Sequence, residues 1–171
     1  MNLAALLFSL MAGLSITVLL PLLLIVLNNS LNLPALHSVL AGGLGIASML
    51  TGVGLFIYCS TLFKLKGKGT PMPLHPPQLL VISGIYSVTR NPIYLGYWLI
   101  LLGEFLVFGQ LLLSVYLVLF MLGNHLYVVL HEEEELKKRF GDEYDRYMSA
   151  VPRYLPGLIR TKHASPQQPI Q

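Results

Sequence analysis

The chain is short of almost everything a soluble enzyme or a secreted domain relies on. It has one cysteine, Cys59, in 171 residues, so an internal disulfide is impossible. No Cys/His cluster has zinc-ligand spacing. Cys59 lies in an apolar run, where a thiol packs like a small hydrophobe. Charge is scarce: 11% of residues are Asp, Glu, Lys or Arg, against about 25% in an ordinary globular domain. The few bases sit beside apolar segments and leave a net charge of only +3. That pattern orients a membrane protein and does not bind nucleic acid. The glycines between Gly42 and Gly54 follow no strand, as a dinucleotide-binding loop would need. They read as small residues that let membrane helices approach.

What remains is hydrocarbon. Apolar residues make up 54% of the chain and mean hydropathy is +0.67. The pattern predicts an all-α integral membrane bundle of about four spans: 3–27, 35–63, 92–109 and 111–130. Each approaches or exceeds the roughly 20 residues that cross a bilayer. The first lacks the basic start of a signal peptide, its apolar core is too long for one, and Pro21 should kink it. Asn28-Asn29-Ser30 has the form of a glycosylation triplet but lies against the membrane. Gly109-Gln110 joins the last two spans in a tight turn. Residues 79–90 read as an interfacial or re-entrant segment. The turns at 28–34 and 109–110 carry no charge, whereas Lys64, Lys66, Lys68, Arg90 and residues 137–139 fall on the opposite side. The positive-inside rule then puts that side, and both termini, in the cytoplasm. One domain covers residues 1–159, and the polar tail 160–171 is expected to be disordered.

The fourth span runs into a charged helical segment, 131–152. Glu132, Leu136, Phe140, Tyr144, Tyr147 and Val151 recur every three or four residues and draw one stripe on a helix. Glu133–Lys137, Glu134–Lys138 and Glu135–Arg139 have the spacing of solvated ion pairs. Glu132 has Leu136 in that place, so its carboxylate begins the inward stripe and needs a partner such as a cationic ligand. His125 lies seven residues earlier, on nearly the same helix face. It and Asn124 serve equally well as an interhelical contact or as a lining of the site. Asn91 and Pro92 look like a cap and first residue of the third span, with Arg90 as its anchor. Glu104 lies near the opposite turn, where packing on another helix or snorkelling to the interface suits it.

Two motifs together are familiar. Gly84-x-Tyr86 and Arg90 precede Asn91-Pro92-x-Tyr94-x-Gly96. After the hairpin come Glu132-Glu133-x-x-Leu136-x-x-x-Phe140-Gly141-x-x-Tyr144-x-x-Tyr147 and Val151-Pro152-Arg153-x-x-Pro156. Residues 84–156 thus resemble the integral membrane methyltransferases related to isoprenylcysteine carboxyl methyltransferase and phospholipid methyltransferase. The resemblance implies an S-adenosylmethionine pocket on the cytosolic side and a lipid or lipidated acceptor entering from the bilayer. It implies catalytic roles for Arg90, Glu132 and Arg153. Cofactor contacts would come from Asn91, Tyr94, Gly96, Glu132, Glu133, Tyr144 and Tyr147, with His125 added from its place on the helix face. Asn91 stands where the prenylcysteine enzymes usually carry His, while Val-Pro-Arg points toward them, so the acceptor stays open. The competing expectations are a non-enzymatic four-helix protein with a closed, packed hairpin, and a membrane lipid reductase that would need a 2′-phosphate clamp.

Overall fold

The computed structural model describes residues 11–67 and 77–154, so the start of the first span and the 160–171 tail lie outside the described residues. These residues form a helical bundle with no strand among them, only an isolated antiparallel bridge between Ala35 and Gln110. Helix α1 is Met11–Ser30, α2 is Val39–Gly67 and α4 is Leu111–Phe140; all three are long and apolar enough to cross a membrane. Helix α3, Pro92–Phe108, is shorter, about 25 Å at 1.5 Å per residue. Helix α5 is Asp142–Ala150. The chain is an integral membrane protein of helical-bundle type. Its leucines and valines on α1, α2 and α4, such as Leu22, Val39 and Leu119, stay exposed because their solvent is lipid.

Pro21 leaves its mark through hydrogen bonding. Residues Ser15–Leu19 open into a π-turn, and the Leu20 N–H reaches back five residues to the Ser15 carbonyl. The next bond of that ladder would come from residue 21, which as proline has no N–H. The freed Ile16 carbonyl accepts instead from the Tyr116 hydroxyl of α4 at 3.0 Å.

Helices α2 and α3 pack closely and antiparallel through two glycine pairs. A Cβ built on Gly45 would lie 2.7 Å from the Gly103 carbonyl, and one on Gly52 would lie 2.5 Å from that of Gly96. Such contacts need residues without side chains. The Ser48 hydroxyl adds a bond to the Leu99 carbonyl at 2.7 Å. Gly42, Gly43 and Gly54 meet nothing and take no part in this contact.

The second helix begins at Val39, not Ala35, because residues 34–36 are used elsewhere. Leu36 N–H donates to the Gly109 carbonyl at 2.9 Å, and Leu111 N–H to that of Pro34 at 3.2 Å. Gly109 closes α3 at φ 64°, and a side chain there would collide with the Leu36 backbone. Asn28 is fully buried: its carboxamide donates to the Leu33 carbonyl and accepts from Leu112 N–H, each at 3.1 Å. The glycosylation triplet is therefore a structural lock. Glu104 is buried near this end of α3.

The charged segment is not one helix. Gly141 takes φ 53°, ψ −133°, a conformation that favours glycine, and separates α4 from α5. Helix α4 itself opens into a π-turn at Val128–Glu132. These two breaks set the geometry at this end of the hairpin.

Candidate active site

A short 3-10 turn, Gly84–Ser87, and residues 88–91 lead into α3. This stretch is tied to residues 147–153 from several directions. Arg90 N–H donates to the Pro152 carbonyl at 2.9 Å. The Thr89 hydroxyl and the Asn91 carboxamide both donate to the Arg153 carbonyl, at 3.2 and 3.0 Å. The Tyr147 hydroxyl donates to the Tyr86 carbonyl at 2.7 Å. Asn91 thus spends its side chain on the C-terminal strap and does not cap α3, whereas Pro92 does occupy the first turn.

Glu133 sits at the centre of this tie. Arg153 grips it in a fork, Nε to Oε1 at 2.7 Å and Nη2 to Oε2 at 2.9 Å. Arg90 Nη1 lies 3.0 Å from the same Oε1, near enough for an ion pair but not aligned as a hydrogen bond. Glu133 is buried, and its expected pairing with Lys137 gives way to these arginines. The reason is a second packing surface: residues 152–153 fold back over the side of α4 that a single-stripe reading leaves to water. Of the three expected pairs only Glu134–Lys138 forms among the described residues, at 2.7 Å on an exposed face. Burial pushes the Glu133 carboxyl up, but the Arg153 bonds and the charges of Arg90 and Arg153 outweigh it and hold it below the usual range.

Glu132 has the opposite surroundings. It faces a cavity of about 500 Å³ and accepts a 2.7 Å hydrogen bond from the Tyr94 hydroxyl. It lies past the apolar stretch of α4, yet burial raises its carboxyl above the usual range; the Tyr94 bond opposes this in part, and Glu133 and Glu135 add to it. Arg90, Asn91, Tyr94, Tyr144 and Tyr147 also line the cavity. Arg90 brings a nearly buried guanidinium whose Nε has no hydrogen-bond partner among the described residues. The positive charge that Arg90 brings to the lining fits an anionic ligand group. Ile16, Phe56, Phe63 and Tyr97 add apolar and aromatic lining.

Four expected site residues stand outside the cavity lining. Gly96 lies in the α2 contact. Glu133 and Arg153 sit behind the wall as a paired support. His125 faces Tyr154, with ring centroids 5.9 Å apart. The seven-residue spacing that aligned it with Glu132 assumes a regular helix. The intervening π-turn inserts an extra residue, worth about 100° of rotation. Phe56, Phe63 and Tyr97 were not singled out as site residues from the sequence. Only Tyr97, one turn after Tyr94, carried a positional signal. The hollow beside Arg90 and Glu132 also argues against a hairpin evolved only for tight packing.

The donor set suits S-adenosylmethionine. A sulfonium is attracted to a carboxylate and to aromatic faces, which Glu132 and the tyrosines supply. The carboxylate end of an amino acid matches the positive charge that Arg90 brings to the lining. No cluster of metal-ligating side chains occurs among the described residues.

Comparison with known proteins points to one reaction class. Over 78 residues the chain is 32% identical to the protein-S-isoprenylcysteine O-methyltransferase of Schizosaccharomyces pombe (strain 972), a match covering 46% of this chain. The match spans about a third of that relative's length (33%). No solved structure matches. The phospholipid methyltransferase family model matches residues 43–143, more than half of the chain. It takes in the glycine-paired helices, the Arg90 loop and both carboxylates at the cavity end, and on that match the chain belongs to the phospholipid methyltransferase family.

Proposed function

We propose that the chain is an S-adenosylmethionine-dependent methyltransferase whose acceptor is a membrane-embedded phospholipid amine or an isoprenylcysteine-like carboxylate. The observation that supports this is a cavity lined by Glu132, Arg90 and several aromatic side chains. Family membership and the isoprenylcysteine methyltransferase relative support the same reaction class. The proposed orientation puts the charged end of the bundle, and both termini, in the cytoplasm, where the methyl donor is available.

When bound, S-adenosylmethionine supplies an electrophilic methyl on a sulfonium and leaves as a neutral thioether. Asn91, Tyr94, Tyr144 and Tyr147 would hold it, with Glu132 as counter-charge. For an amine acceptor Glu132 has a second task. An ammonium has no lone pair to donate, so its proton must leave before attack. Glu132 takes that proton, and its raised affinity for one favours the exchange. Tyr94 fixes the carboxylate by donating to one oxygen and leaves the other for the acceptor. For a carboxylate acceptor no proton moves, and Arg90 orients the attacking oxygen. Glu133 and Arg153 hold Arg90 in place from behind. With donor and acceptor filling the cavity, positioning supplies much of the rate.

The test uses full-length protein in detergent. Titration with S-adenosylhomocysteine is expected to give saturable binding that Glu132→Gln weakens and Glu134→Gln leaves alone. Membranes incubated with methyl-labelled donor are expected to label one lipid fraction. Folded protein that binds no S-adenosylhomocysteine at high concentration overturns the proposal.

A further inference from the structure

The Tyr97 hydroxyl is a polar group that the proposed chemistry does not use. Tyr97 lines the cavity, one helical turn further along α3 than Tyr94. Its ring is held edge-on by Phe56 of α2, with centroids 5.6 Å apart, and by Phe120 of α4 at 6.2 Å. The ring cannot easily turn away. On the other side stands Gly13 of α1, also a lining residue; a Cβ built there would lie 3.9 Å from the Tyr97 hydroxyl. Glycine therefore leaves the approach to that oxygen open. The hydroxyl makes no hydrogen bond among the described residues, whereas Tyr94, Tyr116 and Tyr147 all place theirs on protein oxygens. A phenol in apolar surroundings ordinarily finds a partner.

Depth narrows the choice of partner. Tyr97 lies about 4–5 Å along α3 from Tyr94 at 1.5 Å per residue, inside the level of the Glu132–Tyr94 pair. A lipid whose reacting head group meets Glu132 presents at this depth the junction between head group and hydrocarbon. In a diacyl lipid that junction carries ester carbonyls, which accept hydrogen bonds. In a prenylated cysteine it carries a thioether and hydrocarbon, which accept at best weakly.

Resting on the methyltransferase reading above, we propose that Tyr97 is a specificity-determining residue whose hydroxyl donates to an ester carbonyl of a glycerolipid acceptor, selecting acyl-ester lipids over prenylated cysteine. A site built to hydrogen-bond its substrate discriminates against analogues lacking the acceptor atom, because its own donor is then left unpaired.

The experiment compares diacyl phosphatidylethanolamine, its diether analogue and farnesylcysteine with full-length protein, measuring lipid binding and methyl transfer separately. The wild type is expected to bind and methylate the diacyl lipid with an affinity and KM about fivefold better than the diether, the size of one hydrogen bond. Tyr97→Phe, which keeps the ring and its packing, should raise KM for the diacyl lipid by that factor, leave kcat in place and erase the ester preference. Gly13→Ala, which puts a methyl against the hydroxyl, should reduce the preference in the same direction. Equal handling of ester and ether by the wild type, an ester preference that survives Tyr97→Phe, or labelling of farnesylcysteine alone overturns the proposal while leaving methyl transfer standing. Ester-selective binding that depends on Tyr97, without transfer to any acceptor, supports the contact and instead overturns the methyltransferase reading.

Discussion

At one end of the α3–α4 hairpin, Asn28, Gly109 and the backbone of residues 34–36 and 110–112 close the bundle with hydrogen bonds and no ion pair. At the other end, Arg90 and Glu132 line a hollow, with Glu133 and Arg153 paired behind it. The first end satisfies Asn28 through neighbouring backbone and leaves no room beside it. The second pairs one carboxylate with two arginines and leaves its neighbour facing open space. Closing a bundle needs complementary backbone and one carboxamide. Opening one for chemistry needs charges whose partners are deliberately incomplete. The contrast is sharpest between adjacent residues: Glu133 is gripped by two arginines and Glu132 faces the cavity.

That contrast can be broken most forcefully at Glu133. Glu133→Ala leaves Arg90 and Arg153 without their shared counter-charge. The expected loss is about 3 kcal/mol, near the low end for a broken buried pair because Arg153 is partly exposed. Thermal unfolding in detergent measures it, and a midpoint no lower than that of Glu134→Gln would erase the distinction between the two neighbours. Glu132→Gln should act on rate instead, slowing transfer to an amine acceptor on the order of a hundredfold with little change in unfolding.

The pH profile sharpens the same point. Glu132 must be ionised to take a proton, and its carboxyl is raised. Activity should therefore fall as pH drops through a value above the ordinary carboxylate range, before Glu133, which is held low, is protonated. An acidic limb at an unshifted carboxylate value would remove Glu132 from that role. At the closed end, Asn28→Ala should cost about 1–3 kcal/mol by leaving the Leu112 N–H and Leu33 carbonyl unpaired. Methyl transfer per folded molecule should not change, and a specific loss of kcat would show that the two ends are coupled. Glu134→Gln, on an exposed i,i+4 pair, should alter neither unfolding nor rate measurably.

Much of the architecture was legible in the residues. Uncharged runs of helical length, the Gly109-Gln110 turn and the side on which the bases cluster gave the hairpin and brought Arg90 and Glu132 to one end. The inward carboxylate of Glu132 could be read from its missing Lys or Arg four residues on. The fate of Glu133 could not, because its partner Arg153 returns from twenty residues away and covers a face that local spacing assigns to water. His125 was misaligned with Glu132 because periodicity counts in regular turns and α4 holds a π-turn between them. The aromatic wall escaped notice for a different reason: Phe56, Phe63 and Tyr97 look like ordinary span residues until three helices meet.

The bonds from Leu36 to Gly109 and from Leu111 to Pro34 have a mechanical corollary. They pin the α1–α2 pair to the α3–α4 pair across two loops, and the glycine seam between α2 and α3 carries that fastening along the bundle. Neither pair can then swing away from the other as a whole.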